Sequence, residues 1–420
     1  MPSCLLSIFS ALFAGLLFLQ RPAAFGQNYT VIGLFALVGV TLVYIALNGA
    51  RLVTDHAHKQ DFLFLATLVV LYLAYESIIA LAFGASNLDF WGKEMVTTLA
   101  VVGGYTMYLV NPQNNRLFFW RFTTVISLLG WSSTITLVAA AAVGLDHLKL
   151  FHFTMQNYEN FGGSLETGTV YFPLSMAYSS LLQSDVFSLY RFSGFFREAG
   201  IYQAVAGYCL VLASLENRSK FLRLGLVCGI LCTFSTIGVA TLVAVIVMVN
   251  VIQRRLTVMR VGATIIILLA GAYATFYAPL IGYEYKRDTQ GFSISVDERE
   301  GALTRGMNRV LDNPLGDGPY SGRHANDSIT LVASMRGIGI FGFILQVIML
   351  LGVRGRFDKT TLYRMGACMP LLLTSVMSQP IAGTPLIYVL LMVRPRCSPG
   401  SSDSPRGYGI VGYRVEATKP

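Results

Sequence analysis

Long apolar runs separated by short polar connections dominate this chain, and those runs decide what it folds into. Apolar stretches fall near 5–20, 30–49, 61–83, 95–111 and 118–143, then near 200–216, 221–234, 236–252, 259–280, 329–352, 363–377 and 381–394. A helical run approaching twenty apolar residues matches the hydrocarbon thickness of a bilayer, where only helices or closed barrels satisfy every backbone polar group. The pattern predicts an all-α fold: a polytopic integral membrane protein of about 12 transmembrane helices, on the rule of roughly twenty residues per span. The first run reads as a helix and not as a cleaved leader, because no Lys or Arg precedes it and Gln20-Arg21-Pro22 is a poor cleavage site. Two stretches leave the count open. Thr233-Phe234-Ser235-Thr236-Ile237-Gly238 is either a turn between two helices or a break in one bent span, and 168–183 is either external chain or a re-entrant or interfacial helix.

The polar positions divide the chain further. N-terminal helices occupy 1–143, a long external loop 144–199, central helices 200–280, a second long external loop 281–328 and C-terminal helices 329–394. A Pro-, Ser- and Gly-rich tail, 395–420, follows as a mobile cytoplasmic end. Arg51, Lys59, Arg116, Arg218, Lys220, Arg223, Arg254, Arg255, Arg354, Arg356, Lys359, Arg394 and Arg396 fall in one alternating set of short connections, while the opposite short connections hold little more than Arg21 and Lys93. By the positive-inside rule the basic set is cytoplasmic, with both termini inside and the two long loops outside. Loops that long are usually functional or disordered, and their aromatic content argues against disorder.

Composition narrows the chemistry. The chain is 54% hydrophobic and only 13% charged, and its net charge of +9 is explained by topology-setting residues, so nucleic acid is not an expected partner. The six cysteines lie in or beside spans, and Cys228 and Cys232 have no His or carboxylate close in sequence, so neither a disulfide framework nor a metal site is expected. His56 and His58 sit in a basic connection; His147 and His152 lack the carboxylate or cysteine that would complete a coordination shell. No Asp-x-Asp pair and no phosphate-binding Gly-x-x-x-x-Gly-Lys loop is present. The expectation is a metal-independent protein without a cofactor.

The scarcity of charge makes one cluster informative. Arg191-Phe192-Ser193-Gly194-Phe195-Phe196-Arg197-Glu198-Ala199-Gly200 puts two arginines and a glutamate at the mouth of a span, where ionisable groups are costly and usually functional. In the second loop, Asp297 to Leu311 reads as a short amphipathic helix with Arg305 and Arg309 one turn apart. Asn313-Pro314-Leu315-Gly316-Asp317-Gly318-Pro319-Tyr320 then makes a tight turn, and Arg323 and His324 stand just ahead of the next span.

These pieces resemble the O-antigen ligase and polysaccharide polymerase (Wzy-type) membrane proteins. The residues that carry the resemblance are Gly194-Phe195-Phe196-Arg197-Glu198, Thr233 to Ser235, Asn313 to Gly318, and His324 with Asn326 ahead of Gly337, Gly339 and Gly342. The chain departs from that pattern at Ala199, where the family often has Pro, and at Ala325, which separates the histidine from the asparagine. The resemblance implies a membrane-embedded glycosyltransferase that takes a polyprenyl-diphosphate-linked glycan as donor on the outer face of the inner membrane. It also implies a chain-length regulator and a flippase of the same pathway as partners beside the bilayer. Guanidinium groups suit the charge that grows on a leaving diphosphate, which makes Arg191 and Arg197, then Arg305 and Arg323, the candidate diphosphate ligands. His324, and second Glu198, are the candidates to accept the proton of the acceptor hydroxyl. A polymerase, which transfers to a lipid-linked repeat unit, and a ligase, which transfers to lipid A core or protein, would share these groups. About twelve helices also suit a transporter or flippase, although Glu76 is almost the only acidic residue within the spans.

Overall fold

The computed structural model describes residues 3–20, 27–48, 56–83, 88–159, 165–183, 188–253, 258–278, 282–284, 290–319, 330–352, 359–378 and 381–394. Each apolar run carries a helix. In chain order these are α1 (Ser3–Leu16), α2 (Gln27–Asn48), α3 (His56–Ala82), α4 (Leu88–Leu109), α5 (Pro112–Val143), α6 (Ala199–Leu215), α7 (Lys220–Cys232), α8 (Thr236–Gln253) and α9 (Val258–Tyr277). The amphipathic segment of the second loop forms α10 (Gln290–Asp312), followed by α11 (Leu331–Leu351), α12 (Lys359–Met377) and α13 (Pro385–Leu391). Among the described residues four helices are long and apolar enough to cross a membrane: Tyr29–Asn48, Gln60–Ala82, Pro112–Val143 and Leu331–Leu351. Shorter apolar helices lie at Cys4–Leu19, Ala199–Leu215, Thr236–Ile252 and Gly262–Tyr277. The run at 381–394 departs from expectation: Gly383 and Pro385 delay its helix, and the seven residues of α13 span only about 10 Å.

The helices share two ends. At one, the Asp61 carboxylate meets Arg364 Nη2 at 2.7 Å and Arg394 Nε at 3.6 Å. Asn115 donates from Nδ2 to Met392 O at 2.9 Å and accepts from the Arg394 amide at its Oδ1. Arg218, in the α6–α7 turn, lies over the Trp120 ring at this same end, 3.6 Å from its centroid. The expected basic connections that fall on described residues therefore converge in space.

At the opposite end the structure corrects the expectation of a polar loop over 144–199. This segment folds into a four-stranded antiparallel meander, β1 (Lys149–Glu159), β2 (Leu165–Tyr171), β3 (Ser175–Gln183) and β4 (Ser188–Phe192), in the spatial order β1-β2-β3-β4. The apolar stretch 168–183 is thus strand and not a re-entrant helix. Its side chains alternate, as a strand's must. Val170, Met176 and Tyr178 pack with Phe153 and Phe195, whereas Tyr171, Ala177 and Phe192 pack against Leu137, Leu145, Leu148 and Cys232.

The segment 221–252 is resolved as well. An added Cβ at Gly229 would lie 3.0 Å from Tyr202 Cζ, one at Gly238 2.8 Å from Gln203 Oε1, and one at Gly207 3.1 Å from Thr241 Cγ2. The end of α7 and the start of α8 therefore both abut the first turns of α6, so α7 runs against α6 and α8 runs along it. Thr233 to Ser235 is a reversal between two helices, with Phe234 at φ +46°.

Apolar helices gain little from hydrophobicity among themselves in lipid, so small residues decide how closely they approach. The α5–α7 contact shows this. Gly130 faces Gly225 and Gly229, and the approach is closed by Ser127 Oγ donating to Leu222 O (2.9 Å) and by Trp131 stacking on Phe221 at 4.8 Å. Gly229→Ala is expected to lower the stability of the detergent-solubilised protein by about 1–3 kcal/mol, as overpacking does. Gly262→Ala, where an added Cβ meets nothing within 4 Å, is the matched control and should leave thermal unfolding unchanged or raise it slightly.

Candidate functional site

The arginine cluster sits where the sheet enters the helix bundle. Ser193 continues from β4 and is fixed to β3 by its backbone N–H, which donates to Met176 O at 2.9 Å. Gly194 then takes a left-handed φ of +56°, and a Cβ there would stand 2.9 Å from the Tyr202 ring, so both conformation and space call for glycine. Phe195 and Phe196 bring the chain back into the core: their rings lie 6.3 and 5.4 Å from Phe18, and Phe196 lies 6.0 Å from Tyr202. The Tyr202 hydroxyl donates to Ile126 O at 3.0 Å, which ties α6 to α5. Arg197 and Glu198 follow at once, partly buried, immediately ahead of the first turn of α6.

The individual roles differ. Arg191, on β4, donates from Nε to Thr233 O at 3.1 Å and so closes the C-terminal end of α7. Glu198 is the N-cap residue of α6; its carbonyl accepts from Ile201 and Tyr202, while its carboxylate makes no capping hydrogen bond. Helix α6 behind these residues is buried almost all round, which makes it a rigid post for whatever its N-terminus presents.

A second group of charges lies at the same end of the bundle, on α10 and α11. Helix α11 has its C-terminus against Arg364: a Cβ added at Gly352 would lie 2.9 Å from Arg364 Cγ. Its N-terminus must then lie at the sheet end. Arg305 is exposed on α10, which packs on the start of α11 through Gly306 and Ala333. The structure thus brings Arg191 on β4, Arg197 and Glu198 at the start of α6, and Arg305 on α10 to one end of the molecule. Arg323 and His324 lie outside the described residues.

What the Asn313–Gly318 turn does is not visible in the sequence. Helix α11 is interrupted at Gly339, which has φ +64° and ψ −177°. Such a break frees backbone groups that apolar surroundings make expensive to leave unpaired. The turn supplies the partners. Ile340 N–H donates to Pro314 O (2.9 Å), Asp317 N–H to Arg336 O (2.8 Å) and Gly318 N–H to Gly337 O (3.1 Å). The Ile338 carbonyl accepts from the Tyr75 hydroxyl at 3.0 Å. Gly316 (φ +86°) has no room for a side chain, since a Cβ would stand 2.6 Å from Gly339 N. The Asp317 carboxylate then locks the joint, bonded by Arg309 Nε at 3.0 Å, Arg336 Nε at 3.5 Å and Asn313 Nδ2 at 3.4 Å. The one signal in the sequence was an acidic residue held between two glycines, ahead of a glycine-punctuated span that carries Arg336.

Partial burial pushes the Asp317 pKa up, but the hydrogen bond and charge of Arg309, with Asn313 and Arg336 behind them, outweigh it and hold the carboxyl below its ordinary range. A depressed carboxyl contributes stability that is fully present above its unfolded pKa, about 3.9 for Asp, and is lost as pH falls through the lower folded value. Amide exchange at Asp317 and Gly318, corrected for intrinsic rates, should therefore show protection at neutral pH that disappears in acid. Asp317→Asn should show weaker protection at neutral pH and little acid dependence. Equal protection in both proteins at every pH would mean that the ion pair does not hold the joint.

Among the described residues no group of three or more His, Cys, Asp or Glu side chains is placed to hold a metal ion. Searched against protein-family models, curated proteins and solved structures, the chain matches none of them.

Proposed function

We propose that the chain is a membrane-embedded glycosyltransferase of surface-polysaccharide assembly. In this role it is a polymerase that moves a polyprenyl-diphosphate-linked glycan onto a lipid-linked repeat unit. The observation that carries the proposal is the seating of Arg197 and Glu198 immediately ahead of the first turn of a helix buried almost all round, held by Gly194, Phe195 and Phe196 against the core. An arginine whose backbone is fixed in this way has less freedom to lose when it meets a phosphate, and its guanidinium stays charged where solvent is poor.

The chemistry follows from that position. The acceptor hydroxyl attacks the anomeric carbon of the donor sugar, the bond from that carbon to the diphosphate oxygen breaks, and the lipid diphosphate leaves with the electron pair. The hydroxyl proton passes to a base, for which His324 and then Glu198 are the candidates. Arg197, with Arg191, Arg305 and Arg323 as further candidates, meets the negative charge that develops on the departing diphosphate. A preorganised cation of this kind contributes on the order of 3 kcal/mol, or roughly a hundredfold in rate. A ligase would use the same groups with lipid A core or protein as acceptor. The interruption of α11 at Gly339 favours a second reading, a transporter or flippase, because discontinuous helices commonly line substrate paths.

The test is glycan length in cells lacking the protein and complemented with wild type, Arg197→Ala or Arg197→Lys. Wild type should restore a ladder of chain lengths. Arg197→Ala should leave single repeat units at normal protein level, and Arg197→Lys should recover only part of the ladder. Long chains stranded on the carrier would assign the ligase reaction. Full activity of Arg197→Ala would sink the diphosphate role, and a glycan profile indifferent to the protein would bring the transport reading forward.

A further inference from the structure

The sheet has an apolar corner that the proposed chemistry does not use. At the β2–β3 hairpin, Phe172 and Leu174 are 54% and 53% exposed, and Leu150 and Phe151 at the start of β1 are exposed to a similar degree. These four residues share one corner: Phe172 N–H donates to Leu148 O at 2.8 Å, and Phe151 pairs with Val170 in the β1–β2 register. The corner is not free to swing. Leu174 N–H donates to Ser132 Oγ at 3.0 Å, and Thr136 donates to Phe172 O at 2.6 Å, so the hairpin is fastened to α5 at two successive turns.

The depth of that attachment is informative. Twenty residues of α-helix separate Arg116, at the basic end, from Thr136, a rise of about 30 Å at 1.5 Å per residue. That is roughly the thickness of the hydrocarbon core. The hairpin is therefore bonded to α5 at the level where the lipid interior gives way to headgroups on the far side. Leu128 and Ile135, one turn before and one turn after Ser132, are themselves 55% and 48% exposed, so the apolar corner continues an apolar flank of α5.

We infer that the Phe172-Pro173-Leu174 hairpin, with Leu150 and Phe151, dips into the bilayer interface and lays the sheet on the membrane surface. The inference rests on the reading of α5 as a membrane span. Exposed aromatic and aliphatic side chains on a hairpin tip suit the boundary between acyl chains and headgroups, where amphipathic anchors collect. Seated there, β4 and the Arg191–Glu198 segment are held at the depth of lipid phosphates, where a lipid-linked diphosphate presents its charge.

The test places an environment-sensitive fluorophore on Leu174→Cys or Phe172→Cys, with Cys4→Ser and Cys397→Ser and the unmodified remainder as blank, in the full chain reconstituted into phosphatidylcholine vesicles. Leu128→Cys is labelled in parallel as the report on α5. Both hairpin labels should emit to the blue of their position in water, be quenched by a spin label near the lipid headgroup and be shielded from aqueous iodide. The Leu128 label should be quenched most by a spin label deeper in the acyl chain. Quenching at Leu128 with iodide-accessible, lipid-insensitive hairpin labels would overturn the inference while leaving the membrane span in place. Hairpin labels shielded from both iodide and lipid would overturn it in favour of cover by protein, such as a second copy. No lipid quenching at any of the three positions would remove both the span and the inference.

Discussion

The seat of the Tyr202 ring is the contact on which the rest of the architecture depends. Its hydroxyl finds the Ile126 carbonyl of α5, its face receives Phe196, and Gly194 and Gly229 clear the space on either side. A buried phenol left without that acceptor would carry the cost of an unsatisfied polar group, about 1–3 kcal/mol. Sheet, α5, α6 and α7 all meet at this point. The placement of Arg197 is thus a by-product of core packing, and the charged residues need supply no stability of their own.

The same economy appears at the other set of charges. The turn from Asn313 to Gly318 stands in for the missing turn of α11, giving its broken backbone the partners that a continuous helix would have supplied internally. Arg309, Asp317 and Arg336 then form a compact ion cluster at the surface of the joint. Exposed pairs of this kind contribute little alone, but here they act on a loop whose backbone bonds are already made. Glycine carries the cost of both sites: Gly194, Gly316 and Gly339 hold conformations or approaches that no side chain permits.

The helices were legible in the sequence because each apolar run is long and bounded by polar turns, and helical runs in an apolar setting need no partner to declare themselves. The strands were not. Val170, Met176 and Tyr178 bury one face of the sheet while Tyr171, Ala177 and Phe192 bury the other, so the alternation that marks a half-buried strand is erased. The break in α11 was hidden for another reason, since glycines are common in membrane helices and Gly339 looks no different from Gly337 or Gly342. The pairing of Asp317 with Arg336 joins residues from two elements, and nothing local announces it. The arginine motif itself was readable from scarcity of charge, but the engagement of Arg191 with the end of α7 required coordinates.

The union of the turn with α11 also sets a rule of length. Pro314, Asp317 and Gly318 each meet a fixed partner among Arg336, Gly337 and Ile340. One residue gained or lost between Pro314 and Gly318, or between Arg336 and Ile340, would leave these three bonds unable to form together. The half-exposed side chain of Leu315 takes no part in these bonds and can change, whereas neither interval can change in number. The spacing, more than the letters, is what this joint requires.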